Sequence, residues 1–361
     1  MTTASGKVKG VLTADIVEQI VSGTYIPEAQ RNRSTPFVLY ARMVNRILYE
    51  NGRFGLTTMR NKESGINCFD HYEKELLCHD PVTIGGLTSD YLQKYYSYRI
   101  SVPGHCSRIT AARSMEPLFT AIRYARDHCL LSYDEASLLL ADEKDINSKH
   151  NSRYFPEVRP DRIKSLTIEQ IRLLEDYHPE HPRTQDFLDA FLFCFYCCGM
   201  RISDMITLEW QNVDLEQLRI HKRQVKTRQR PRIPTYMRPE ALVILGRWKG
   251  RNPRFVFSFQ PVDFDLSDEE ALYRRRLSVT RTMNTSLKRI GEKLRLPVVL
   301  TSHVQRHTFA TFAINNDMPI YTLSALLGHQ SIVTTEKVYA RLLDKKAKTD
   351  YDACMAKVFK E

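Results

Sequence analysis

From Glu143 to Pro160 the chain carries Asn147, Ser148, Lys149, Asn151, Ser152, Pro156 and Pro160, a polar, proline-punctuated composition that offers little to pack, while apolar residues recur at helical spacing on both sides. Such a stretch cannot run through a hydrophobic core, so it divides the chain into two bodies. The length of 361 residues agrees, because one core rarely grows past ~250 residues before a chain splits. The expected organisation is a tail over residues 1–34, a first domain over 35–142, a linker over 143–162, a second domain over 163–345 and a tail over 346–361.

The first domain reads as all-helical. Phe37, Tyr40, Val44, Ile47 and Leu48 form one apolar stripe, and Ile66, Phe69 and Tyr72 form a second beyond the breaks at Gly52 and Gly55. After Pro81 and Gly85-Gly86, Tyr91, Leu92, Tyr95 and Tyr96 predict a third helix; Ile109, Ala112, Leu118, Ile122 and Ala125 predict a fourth. In the second domain Thr167 followed three positions later by Gln170 is a capping-box pattern that opens a helix through Ile168, Ile171 and Leu174. Phe187 to Met200 is an almost continuous apolar helix, Leu218 to Pro234 switches to short strand-like pieces around a polar turn, and Leu287–Leu294, Ser302–Asn315, Ile320–Leu327 and Thr334–Leu343 are helical again. The fold class expected is mainly α with a small antiparallel β-sheet.

Hydrophobic residues at 42% and charged residues at 26% are ordinary for globular proteins and exclude a disordered or fibrous chain. No stretch approaches the ~20 apolar residues of a membrane span, and the first residues lack the apolar block of a secretion signal, so a cytoplasmic protein without a membrane partner is expected. The eight cysteines lack the paired spacing of a zinc module and read as reduced core thiols; Cys194 and Cys197 fit the buried face of an apolar helix. A net charge of +11 favours a polyanionic partner.

Four clusters carry possible chemistry. Gly199-Met200-Arg201-Ile202-Ser203-Asp204 sets an arginine just past a glycine turn; taken singly, Arg201 reads as an ordinary basic residue at a helix end. Arg219, His221, Lys222, Arg223, Lys226, Arg228, Arg230 and Arg232 form a basic ribbon with no acid between Gln217 and Pro239, a density of arginine better suited to phosphate than to a solvated sheet edge. His303 and Arg306, three apart, share a helix face that could grip an anion. Gly328-His329 ends one helix and Tyr339 lies on the next, where a lone tyrosine would ordinarily be a packing residue.

In this order these residues resemble the tyrosine recombinase (phage-type integrase) family, with Gly199 to Asp204, the run Arg306-His307-Thr308-Phe309-Ala310-Thr311 and Leu326-Leu327-Gly328-His329 as the clearest echoes. The resemblance implies a helical, SAM-like core-binding domain before a catalytic domain. It implies catalytic roles for Arg201, Lys226, His303, Arg306, His329 and the nucleophile Tyr339, with Asp204 in support. Arg60 and Lys62 in the first domain, and Lys222, Arg223, Arg228, Arg230 and Arg232 in the second, are expected to meet DNA. The interval from His329 to Tyr339 is one residue longer than the family's commonest spacing.

The chemistry suits these residue types. Two guanidinium forks neutralise charge growing on a five-coordinate phosphorus, a phenol of reference pKa ~10 needs its proton removed, for which His303 is the candidate acceptor, and a lysine can protonate the departing 5′ oxygen. The resemblance thus implies site-specific recombination through a 3′-phosphotyrosyl link, with no cofactor or metal, on double-stranded DNA held by a homotetramer, with accessory DNA-bending proteins as further partners. The rivals are type IB topoisomerase-like relaxation, a non-cutting DNA-binding regulator and a metal-dependent nuclease; the last fits poorly, because Arg306 and Lys226 are unsuited neighbours for a divalent cation.

Overall fold

A computed structural model of the chain describes residues 33–77, 80–101, 106–148, 165–222, 235–329 and 331–359. The chain divides into two compact units, Met1–Val158 and Arg159–Glu361.

The first unit is helical. α1 (Phe37–Glu50) starts after Pro36, whose fixed φ suits a helix entrance, and its first amide donates to the carbonyl of Val82 at 2.7 Å. α2 (Leu56–His71) runs on into a π-helical turn (Tyr72–Leu77), followed by α3 (Ser89–Ser101), α4 (Arg108–Asp127) and α5 (Tyr133–Ser148). Phe37, Phe69 and Tyr95 meet edge to face at the centre, beside Met115, Leu118 and Ile122. α2 and α4 approach so closely that a Cβ on Gly65 would lie 2.8 Å from the carbonyl oxygen of Ser114. α5 reaches into the stretch read from sequence as linker. Its buried residues Ala136, Leu139 and Ile146 make too sparse a stripe to announce a helix, and Arg123 ties its far end down by donating to Glu143 at 2.6 Å.

The second unit is built around one helix that is apolar on nearly every side. α6 (Ile168–Glu175) opens with the capping box, in which the Thr167 hydroxyl accepts from the Gln170 amide and the Gln170 side chain accepts from the Thr167 amide. α7 (Pro182–Tyr196) follows, with Phe187 to Phe195 buried without interruption. Its surroundings explain that pattern: α9 (Pro239–Trp248), α10 (Glu269–Lys293) and α11 (Val304–Asn315) pack against it. Between α7 and α9 come a short α8 (Ile202–Ile206) and three two-residue strands, β1 (Val213–Asp214), β2 (Arg219–Ile220) and β3 (Thr235–Tyr236), paired antiparallel in that order with Val213 opposite Ile220 and Ile220 opposite Thr235. α12 (Ile320–Leu327) and α13 (Ile332–Phe359) complete the unit. Cys194, Cys197 and Cys198 are buried at the end of α7, where burial pushes their thiols up in pKa.

Asp189 is a carboxylate in the middle of this apolar helix, only 1% exposed. It is tolerated because four donors converge on it: Gln185 at 2.8 Å, the Arg247 guanidinium at 2.7 and 3.1 Å, and the Trp248 indole N–H at 3.1 Å. The carboxylate thereby fixes α9 against α7. Asp189→Ala leaves Arg247 and Trp248 without their acceptor and is expected to lower the unfolding free energy of this unit by about 3 kcal/mol in urea denaturation; an unchanged midpoint would mean that the apolar contacts alone hold α9.

Candidate active site

After α7 the chain turns back through two successive left-handed residues, Cys198 (φ 54°) and Gly199 (φ 64°), and Arg201 then becomes the residue that opens α8. Gly199 is required on two counts. Its φ suits glycine, and a Cβ there would sit 3.2 Å from the Cα of Arg306 and 3.3 Å from Phe309, where α11 presses on the turn. Two side chains of α11 lock this approach: Gln305, 1% exposed, donates to the carbonyl of Met200 at 2.8 Å, and Arg306 donates to that of Gly199 at 2.8 Å.

The second fork of Arg306 donates to the carbonyl of Leu327, and Arg201 donates to that of Gly328 at 3.0 Å. Both acceptors lie at the end of α12, where Gly328 adopts the left-handed cap conformation and the last carbonyls have no intrahelical donor. The two arginines therefore hold the α7–α8 turn and the end of α12 on either side of one small cavity, which Asp204, Lys222, Ile220 and Leu326 also line. At about 20 Å³ it has room for roughly one water.

The electrostatics are those of crowded cations around one acid. Asp204 is 5% exposed. Burial lowers the proton affinity of Arg306, and the adjacent Arg201 adds to the effect, but a delocalised guanidinium keeps its charge. Lys222, placed among the DNA contacts in the sequence reading, is instead turned inward: it donates to the carbonyl of Thr207, and burial brings its pKa down to about 8, with Asp204 and Glu209 opposing the fall.

The other residues singled out from sequence are placed as follows. His303 is exposed at the start of α11, and His329 meets the Thr335 hydroxyl through Nδ1 at 2.8 Å. Arg60 and Lys62 are half-buried on α2, where Lys62 pairs with Glu116 and lies 5.4 Å from the centre of the Phe54 ring. Lys226, Arg223, Arg228, Arg230 and Arg232 lie outside the described residues.

Tyr339 does not face the cavity. It is 1% exposed, surrounded by Ala310, Ala313, Ile314, Leu323 and Leu327, and its hydroxyl lies 3.2 Å from Nδ1 of His307. Burial pushes its pKa up to about 12, with Arg306 opposing. Backbone angles of −107° and 16° at Tyr339 interrupt α13, so the tyrosine sits at a kink. Sequence reasoning passed over Gln305 and His307; both adjoin Arg306, and on a helix that presses its whole first turn into the site the neighbours of a key arginine are themselves candidates.

Comparison with known proteins agrees with this architecture. The profile of the phage integrase family matches residues 164–346, half of the chain. The chain belongs to that family, the tyrosine recombinases. This recombinase-family chain is 30% identical over 186 residues to tyrosine recombinase XerC of Alcanivorax borkumensis, covering 50% of this chain and 56% of that protein. It spans between 56% and 60% of the length of the first curated relatives it matches. Its fold is shared with a Tn1549 transposon integrase in complex with transposon right end DNA (TM-score 0.59, 18% identity, 88% of this chain and 99% of that one) and with a lambda integrase tetramer bound to a Holliday junction (TM-score 0.56, 16% identity, 91% of each).

An ammonium is a compact donor that lacks the planar fork with which Arg306 meets the carbonyls of Gly199 and Leu327. Arg306→Lys is therefore expected to destabilise the DNA-free protein by about 2 kcal/mol in thermal unfolding, and a variant as stable as the parent would show that the bridge contributes nothing to holding the site.

Proposed function

We propose that this chain cuts and rejoins double-stranded DNA in site-specific recombination, with Tyr339 as the nucleophile and a 3′-phosphotyrosyl link as the intermediate. The observation that carries the reading is the convergence of Arg201 and Arg306, 127 and 21 residues from the carbonyls they hold at the end of α12, on one cavity beside Asp204. Two guanidiniums stabilise charge that grows on the equatorial oxygens during in-line attack, and the nearby Asp204 offsets part of their own charge. The phosphotyrosyl ester conserves the energy of the broken bond, so the 5′ hydroxyl of another strand can reverse the reaction without a nucleotide cofactor.

Attack on a phosphate held by these arginines requires Tyr339 to leave its apolar surroundings, and the non-helical backbone at Tyr339 is the place where α13 can turn. Once out, the phenol loses the burial that raises its pKa and comes nearer to the arginines that favour phenolate. The lysine that protonates the 5′ oxygen is assigned to Lys226 on the resemblance, and His329 to a phosphate contact. Assembly as a homotetramer on DNA is supported by the lambda integrase tetramer on a Holliday junction, and accessory DNA-bending proteins and a cytoplasmic location belong to the same reading. Type IB topoisomerase-like relaxation uses similar chemistry but rejoins the same strand; a non-cutting regulator would forgo the nucleophile.

On a pool of nicked duplex fragments the parent protein is expected to form a covalent protein–DNA adduct that survives denaturant and persists in chelator. Tyr339→Phe removes only the hydroxyl and should bind the same DNA with no adduct. An adduct from the Phe variant would assign the nucleophile elsewhere, and cleavage that leaves no adduct and stops in chelator would favour a metal nuclease. Joined products that combine two different duplexes separate recombination from relaxation.

A further inference from the structure

His307 has no role in the proposed chemistry, yet it is the side chain that touches the hydroxyl of Tyr339, at 3.2 Å through Nδ1. The two rings meet edge to face, their centres 6.0 Å apart. His307 follows Arg306 directly on α11, so successive residues of one helix hold the cavity wall and the phenol. We infer that His307 is a positioning residue that latches the Tyr339 hydroxyl inside the catalytic unit of the DNA-free chain, its Nδ1 accepting the phenol proton in a hydrogen bond. The inference gives Tyr339 a resting place, and it rests on the reading of Tyr339 as nucleophile for its significance.

The chemistry of the pair supports an acceptor role. A phenol has one proton to donate, and Nδ1 accepts only while the ring is neutral with its proton on Nε2. Both partners are held in those states: burial, with His303 and Arg306 adding positive charge nearby, lowers the pKa of His307, and burial raises that of Tyr339. Apolar side chains of Ala310, Ala313, Ile314, Leu323 and Leu327 pack in the same cluster as the ring, and the hydrogen bond of the hydroxyl is to His307. An unpartnered buried hydroxyl is costly, so the bond to His307 is what makes the inward position tolerable.

The test reads the phenol directly in the DNA-free full chain. Proteins are treated with N-acetylimidazole, which O-acetylates accessible phenols, and the Tyr339 peptide is quantified by mass spectrometry against exposed Tyr321 and Tyr351 (75% and 63% exposed) in the same sample. Tyr339 of the parent should be protected. His307→Leu fills similar space without an acceptor and should raise Tyr339 acetylation about fivefold, whereas His307→Asn, whose amide oxygen can take the place of Nδ1, should restore protection close to the parent level. If the ring merely filled space the order would reverse, with Leu protecting and Asn exposing; that order, or equal reactivity of the two variants, overturns the latch. A second measurement needs no His307 variant: the Nδ1 nitrogen resonance of His307 should shift in Tyr339→Phe, and an unchanged resonance likewise overturns the proposal. Neither readout involves DNA, so the latch can fail while Tyr339→Phe still abolishes the covalent adduct, and it can stand if that adduct proves to form on another residue.

Discussion

Two guanidiniums bonded to backbone carbonyls, one buried and one half-buried, organise the second unit. Arg306 spans the carbonyls of Gly199 and Leu327, and Arg201 holds that of Gly328, so segments more than a hundred residues apart meet at one point. These carbonyls are available because each lies where regular structure ends: a left-handed turn after α7 and a left-handed cap after α12 both leave acceptors without helical donors. The arginines thus satisfy acceptors that the fold would otherwise bury unpaired, while the carbonyl dipoles help to solvate charges that the fold has removed from water. Structure and proposed chemistry use the same side chains.

The same principle extends to the residues around the cavity. Gly199 has no room for a Cβ against Arg306 and Phe309, Gln305 is buried with its amide on the Met200 carbonyl, and Asp189 anchors α9 to the helix that delivers the turn. Each is a polar or conformational requirement met inside an apolar core. Tyr339 is the contrasting element, since it sits at an interruption of α13 and is held by small apolar side chains and one hydrogen bond. On the proposed reading, a cation frame tied to backbone carbonyls beside a tyrosine on a kinked helix separates what must be fixed from what must move.

How much of this could be read from the sequence depended on whether a residue's partners are local. The capping box at Thr167 and Gln170 is a contact within one turn, and it forms as its spacing predicts. The arginines stood out because glycine turns and motif neighbours surround them in sequence. Asp189 did not, because its partners Arg247 and Trp248 lie 58 and 59 residues away and nothing local marks an acid in an apolar helix as satisfied. The inward turn of Lys222 was hidden for a related reason: a basic residue in a run of basic residues reads as surface, and only the fold shows its ammonium turned onto the carbonyl of Thr207. The inward position of Tyr339 was illegible because it depends on five apolar side chains drawn from α11 and α12.

The inward turn of Lys222 changes the charge balance at the cavity. Among the described residues lining it, Arg201, Arg306 and Lys222 bring three positive charges and Asp204 one negative, a surplus of two around one small cavity. Like charges gathered out of water repel more strongly than at the surface, and the proton affinity of Arg306 is lowered first by burial and then by the adjacent Arg201. An incoming phosphodiester carries one negative charge shared by two non-bridging oxygens that accept from these donors, so on the proposed reading it offsets part of a repulsion built into the free protein. The five-coordinate species formed during attack carries more negative charge than the ground-state diester and offsets more of it. A surplus of fixed cations therefore favours the transition state over the bound substrate, which is the differential that catalysis requires.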